Sequence, residues 1–232
     1  MDPASRLRAI RQPPSLVEMI REELRQRIVE GVYAPDERLR EARVASDFGV
    51  SRPPVREAMR LLQREGLLTV HPRRGVSVTA LTAADVREIY AVRHALEELA
   101  VKLAVPVRDE ALLHPLRQAL QEMASAAADG RRVDLPLINL RFHQALARLP
   151  GNGRLARAYD DLAGQLEMCM AMNLKLRERL VGDLGESVRR HAELLRLIEL
   201  GDVASVVQAL EEHGDRSLLD SLDDAFPRHA QA

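Results

Sequence analysis

Four side chains in the second half of the sequence have the types and spacing of metal ligands. Asn139 and His143 stand four residues apart, so on a helix they share one face. His191 and His213 lie in two later amphipathic segments among Leu194, Leu195 and Leu210. Three imidazoles and an amide oxygen converging inside a helical bundle would hold a divalent ion with coordination positions left open. In a mostly apolar chamber such an ion suits a small organic acid, whose carboxylate takes an open position. The bland alternative is that His143 or His191 is a hydrogen-bonded core histidine. His71, His94, His114 and His229 fit no ligand pattern and are read as structural.

A second set of residues points to a polyanion. Ser51, Arg52 and Arg56 fall on the leading turns of SRPPVREAMR, and Arg73 and Arg74 flank a turn closed by Gly75. The planar fork of arginine matches guanine O6/N7, or a phosphate, in two-point contact. Glycine at a hairpin tip lets backbone approach a groove closely. The competing reading is a solvated face in which these arginines meet Glu57 and Glu65. If Ser51 is the N-cap, Pro53 and Pro54 occupy the second and third helical positions, where a missing N–H removes no ladder bond. The same prolines take away the two donors a capping serine would use, which leaves the Ser51 hydroxyl for another partner.

The elements that must position these groups follow from periodicity. Ser15 and Glu18 form a capping box ahead of Leu16, Ile20, Leu24 and Ile28, an amphipathic helix closed by Gly31. A turn at Ala34-Pro35-Asp36 leads to a short helix over 41–48, ended by Gly49, and a second over 51–65 with Val55, Met59 and Leu62 inward. In LLTVHPRRGVSVT, β-rich runs at 67–70 and 76–79 flank a turn, a hairpin signal. Three helices and a hairpin over 15–80 make a winged helix-turn-helix, with a loose arm before it at 1–14. A second capping box at Thr82 and Asp85 opens a unit over 81–228 without strand signals. Helices are expected at 82–105, 109–128, 134–149, 154–181, 186–200 and 203–224, joined by short loops as in an antiparallel bundle. The fold class is mainly α.

Bulk properties agree with this division. The 232 residues are 46% hydrophobic and only 3% aromatic, which fits a largely helical chain of two domains. Residues 1–80 carry 15 Arg against 11 Asp and Glu, a net of +4, whereas 81–232 carry 19 Lys and Arg against 24 Asp and Glu, a net of −5. The N-terminal unit is therefore the one suited to an anion. Cys169 is the only cysteine and reads as a small core residue. Without an apolar run of about 18 residues or a signal-like start, a cytoplasmic protein is expected.

The run PDERLREARVASDFGVSRPPVREAMRLLQREGLLTVHPRRGVSV resembles the winged-helix signature of the GntR family of bacterial transcription regulators. That resemblance implies that Ser51, Arg52, Pro53 and Arg56 hold the helix positions that touch operator DNA, with Gly75 at the wing tip. Two positions depart from the pattern: Pro53 stands where Thr is frequent, and Ala42 where a DNA-contacting Arg is frequent, so the contact set is smaller. The runs DVREIYAVRHALEELAVKLA, FHQALARLPGNGRL and RRHAELLRLIELGD resemble the all-helical FCD ligand-binding domain of the FadR-type subfamily. Its metal-binding members place Asp or Asn, then His four later, then two further His, which implies Asn139, His143, His191 and His213 as ligands. Zinc is the first candidate, with nickel and manganese next. Arg93 falls at a pocket-lining position; it either meets an effector carboxylate or pairs with Glu97, four residues on.

Together these features predict a sequence-specific DNA-binding transcription regulator, a repressor, modulated by a small organic acid at a divalent metal site. It would act as a homodimer on double-stranded DNA with an imperfect palindromic operator. The alternatives are a metal-dependent hydrolase with an accessory DNA-binding domain and a ligand-independent DNA-binding protein. A hydrolase is disfavoured because the sequence has no His-Glu-x-x-His helix, no acidic cluster for two metals and no glycine-rich phosphate loop. No enzyme activity is expected.

Overall fold

The computed structural model describes residues 13–180 and 184–213. Its N-terminal unit starts with α1 (Leu16–Glu30), where Glu18 N donates to Ser15 Oγ at 3.2 Å and Ser15 N donates to Glu18 Oε2 at 2.7 Å. Both halves of the capping box are thus made. Ile20, Leu24 and Ile28 face inward from α1, as their spacing requires. Next come β1 (Arg38–Leu39), α2 (Glu41–Phe48) and α3 (Arg52–Arg64), then β2 (Leu68–His71) and β3 (Gly75–Val78). The three strands form one antiparallel sheet in the order β1-β3-β2, with Arg38 opposite Ser77 and Leu68 opposite Val78. Leu24, Val55, Leu62 and Leu67 are fully buried in one core, each contributing about 2 kcal/mol. This is the expected winged helix-turn-helix, with one strand more than the hairpin pattern implies. The arm expected at 1–14 lies outside the described residues except for 13 and 14.

The helical unit runs through α4 (Ala83–Ala104), α5 (His114–Ala128), α6 (Leu135–Arg148), α7 (Gly153–Asp160), α8 (Ala163–Leu180), α9 (Gly185–Leu200) and α10 (Val203–Glu212), with 3-10 turns before α5 and α6. The Thr82–Asp85 capping box opens α4. Central to the bundle is α6, which packs on α4, α5, α7 and α8 and buries Leu135, Ile138, Leu140, Phe142, His143 and Leu146. The sequence predicts one helix over 154–181; instead the chain turns at Asp161 and Leu162, where Leu162 N donates to Tyr159 O at 3.1 Å, three residues back. That tightened step separates α7 from α8. The part of the last expected helix over 214–224 lies outside the described residues.

α8 also joins the two units. Gly164 packs so tightly on the end of α3 that an added Cβ would stand 2.1 Å from the Glu65 carbonyl oxygen. Met168 packs against the N-terminal core, and Glu167 accepts a buried hydrogen bond from Arg25 of α1. Among the described residues no helix is long and apolar enough to cross a membrane.

Candidate functional site

The fold brings the sequence-predicted ligands together. Asn139 and His143 come from α6, His191 from α9, and His213 from the residue after α10. The three imidazoles are 0%, 1% and 7% exposed, and one nitrogen from each lies within 4.8 Å of the others. His191 Nε2 stands 3.1 Å from Asn139 Oδ1 and 3.2 Å from His213 Nε2. Two donors on one ion, each at ~2.1 Å, would be roughly 3.0–3.4 Å apart, so both spacings suit shared coordination. Phe142 meets the His191 ring edge-on at 4.9 Å between centroids, which fixes its plane.

Protonation follows from the partners. His191 Nδ1 lies 2.7 Å from the Ser187 carbonyl oxygen, which only accepts, so the proton is on Nδ1 and Nε2 carries a lone pair. That lone pair faces an amide oxygen and a second imidazole nitrogen. With its amide turned over, Asn139 would instead donate N–H to His191, the arrangement of a plain hydrogen-bonded core. Burial pushes the His191 imidazole down to about 3, with the neighbouring His143 adding to the effect. His143 is lowered as well, first by burial and then by Arg93, against the opposing pull of Glu97. Neutral imidazoles are the form that binds metal.

Arg93 realises its structural reading and also reaches the site. Its Nε donates to Glu97 Oε1 at 2.8 Å, and its Nη2 lies 3.0 Å from His143 Nε2. A cation thus already stands at the lone pair a metal would use on His143. Tyr159 donates to the same Glu97 oxygen at 2.7 Å, and His143 Nδ1 lies 3.1 Å from it without the alignment of a hydrogen bond. Burial alone would raise the Glu97 carboxyl, but Arg93 and His143 overcome it and hold Glu97 well below the usual carboxylate range. Tyr159 escapes a sequence reading, because its place beside Glu97 depends on how α7 lies against α4. A cleft of about 370 Å³ lies elsewhere, between the units, and is lined by Arg21, Glu65, Arg148 and Glu167 among others.

At the other end of the molecule, Ser51 caps α3 without a side-chain hydrogen bond, and Pro53 follows in the first turn. Ser51, Arg52 and Pro53 are exposed. Arg56 is exposed too, but its fork is closed on Glu41 of α2, with Nε to Oε1 at 2.9 Å and Nη2 to Oε2 at 2.8 Å. The sequence weighs Glu57 and Glu65 as arginine partners; Glu41 takes the role because α2 and α3 meet at that point. Arg73 has φ +65° and Gly75 φ +89°, so the chain reverses sharply between β2 and β3. The Arg74 carbonyl accepts from Arg38 of β1, and a Cβ at Gly75 would meet nothing within 4 Å. Ala42 is exposed on α2.

Comparison with known proteins covers both units. Residues 16–78 match the family described as bacterial regulatory proteins, gntR family, and residues 88–216 match the FCD domain. The uncharacterised HTH-type transcriptional regulator YdhC of Bacillus subtilis is 39% identical over 152 residues, 65% of this chain and 68% of that protein. The gluconate operon transcriptional repressor of the same organism is 28% identical over 206 residues, 88% of this chain and 84% of its own length. A solved GntR structure from Rhodococcus sp. RHA1 superposes with a TM-score of 0.74 at 23% identity, over 90% of this chain and 98% of that one, a likeness of fold.

Proposed function

The chain belongs to the gntR family of bacterial regulatory proteins and carries an FCD domain, and from that membership we propose a repressor whose operator binding is set by a small organic acid held at a divalent metal ion in the helical unit. That it is a DNA-binding transcription regulator follows from the family; repression is supported by its similarity to the gluconate operon repressor. The observation that carries the ligand reading is the convergence of the Asn139 oxygen and the His213 nitrogen on the His191 Nε2 lone pair.

His143, His191, His213 and Asn139 would hold the ion, and Arg93 Nη2 would orient a carboxylate next to it. When bound, the ion supplies a Lewis-acidic attachment point for that carboxylate. The chain's own part is to keep the imidazoles neutral, to exclude water by burial, and to fix the His191 ring through Ser187 and Phe142. On the DNA side, Ser51, Arg52, Pro53 and Arg56 lead the recognition helix, and Arg73, Arg74 and Gly75 form the wing tip. Arg56 would exchange Glu41 for a phosphate or base edge on binding.

A homodimer completes this reading. On α4, Val92, Leu99 and Leu103 are 48%, 44% and 55% exposed and lie on one stripe, an apolar face suited to a second copy of the chain. The test is footprinting and gel shift on the DNA flanking the gene, with and without zinc and a panel of carboxylates. A dyad-repeat footprint that one metal–carboxylate pair shifts, and that a Leu99→Glu, Leu103→Glu double variant abolishes while sedimenting as a monomer, is the expected outcome. A footprint without a dyad, or one indifferent to every metal and acid, would count against it.

A further inference from the structure

The cleft of about 370 Å³ between the two units takes arginines from both of them. Arg21 comes from α1, and Arg141 and Arg148 come from α6, where seven residues set them about 10 Å apart along one face of the helix. Leu140 and Gly164, both buried, give the cleft an apolar floor. None of the three guanidinium groups is used up by its present partners. Arg21 spends Nη1 on Glu65 Oε1 at 2.6 Å; Nε and Nη2, which make one edge of the group, donate to nothing among the described residues, and Nε is shielded from solvent. Arg148 reaches both oxygens of Asp160 through Nη2 alone, at 2.7 Å each. Arg141 has one long contact, 3.4 Å to Glu122, which is not part of the cleft. The carboxylates that line the cleft are, by contrast, each engaged: Glu65 by Arg21, Asp160 by Arg148 and by Gln144 at 2.9 Å, and Glu22 and Glu167 by Arg25. A shielded guanidinium N–H without an acceptor costs free energy, and an oxyanion that draws this edge of Arg21 into the cleft recovers it.

We propose that this cleft is a second ligand site, separate from the three-histidine chamber and independent of any metal there, and that it takes the phosphate monoester of a small organic molecule. Phosphate follows from the origin of the donors. A carboxylate has two oxygens in one plane and is satisfied by a single guanidinium fork, as Glu41 is by Arg56. Donors that come from two units need acceptors pointing out of one plane, and a phosphate ester supplies three terminal oxygens and close to two negative charges. The organic remainder of the ligand lies over the apolar floor. Because Arg21 belongs to the DNA-binding unit and Arg141 and Arg148 to the helical unit, a bound phosphate bridges the two and favours the arrangement in which they are docked.

The experiment is titration calorimetry of the full chain, stripped with chelator and repurified, at fixed ionic strength. Inorganic phosphate, glycerol 3-phosphate and glucose 6-phosphate are the probes, and succinate is the carboxylate control. At least one ester is expected to bind with one site per chain and more tightly than inorganic phosphate, while succinate gives no saturable heat. Arg21→Gln and Arg148→Lys should each weaken that binding roughly tenfold or more, the second because lysine keeps the charge and loses the fork. His191→Ala should leave it unchanged. Thermal melts separate binding from folding: Arg148→Lys should melt with the wild type in the absence of ligand and lack the rise that the ester gives the wild type. The inference is overturned if no phosphate compound gives saturable binding, or if both arginine variants bind as the wild type does. It is overturned equally if succinate binds as tightly as the esters and depends on the same arginines, or if His191→Ala abolishes binding, which would move the ligand to the three-histidine chamber.

Discussion

His191 is buried with its Nδ1 proton committed to the Ser187 carbonyl, and this makes its neutral state part of the stability of the fold. In the unfolded chain an imidazole titrates near ~6.5, whereas here burial holds it down to about 3. Between those limits the unfolded state binds a proton that the folded state refuses, so stability rises with pH across the window and is lost as pH falls through it. The slope from this one group is about 1.4 kcal/mol per pH unit. For chelator-treated protein, urea denaturation at pH 7.5 and pH 5.0 should therefore show the wild type losing roughly 2 kcal/mol more than His191→Gln. His143 is lowered too, but it is present in both proteins and cancels in the comparison. Equal losses in the two proteins would mean that His191 is already protonated in the fold.

The start of α3 makes a prediction at the scale of an element. Pro53 and Pro54 fill the turn in which Ser51 would find its capping donors, and the Ser51 hydroxyl has no cap hydrogen bond. With the proposed DNA contacts, rigidity at this turn would come at the loss of one polar side chain facing DNA. Pro53→Thr should raise operator affinity and steepen the slope of log K against log salt by about 1, the signature of one added phosphate contact. Unchanged values for both would remove Pro53 from the interface. How far elements were legible beforehand depended on length and on tertiary context. The two capping boxes, the helix pair and the hairpin are written in local residue types, so they emerge from the chain directly. β1 is only two residues long, too short for any alternation, and exists because Arg38 and Leu39 pair with β3. The break between α7 and α8 is hidden because Leu155, Tyr159, Leu162 and Leu166 keep helical spacing straight through it. The close approach of Gly164 to the Glu65 carbonyl, a contact between residues distant in sequence, lies just past this break. At the three-histidine chamber, the candidate donors are visible in the sequence as spacings, whereas the Glu97–Tyr159 support and the closure of Arg56 on Glu41 arise from packing between helices distant in sequence.

At the scale of the whole molecule, α8 is the element that touches both functions. One side packs on α6, which carries Asn139 and His143, and the other meets α1 and the end of α3 through Gly164, Glu167 and Met168. A shift of α6 on binding of the proposed ligand would be delivered to the DNA-binding unit through this contact, whose polar centre is the Arg25–Glu167 pair. Burial pushes the Glu167 carboxyl up even with Arg25 beside it, which marks the pair as expensive to desolvate. Removing one member leaves a buried charge without its partner, a loss of about 3–5 kcal/mol, whereas replacing both by apolar groups of similar volume is close to neutral. Arg25 keeps Glu22 as a second partner, so the loss in Glu167→Ala should fall at the low end of that range. Scanning calorimetry should then resolve two transitions in Glu167→Ala, one for each unit, where the wild type shows one. The Arg25→Met, Glu167→Met double variant should recover a single transition. If that double variant also binds operator but no longer responds to the proposed metal and organic acid, the pair transmits the signal as well as holding the units together; a response of full size would place the coupling in the apolar contacts of Gly164 and Met168.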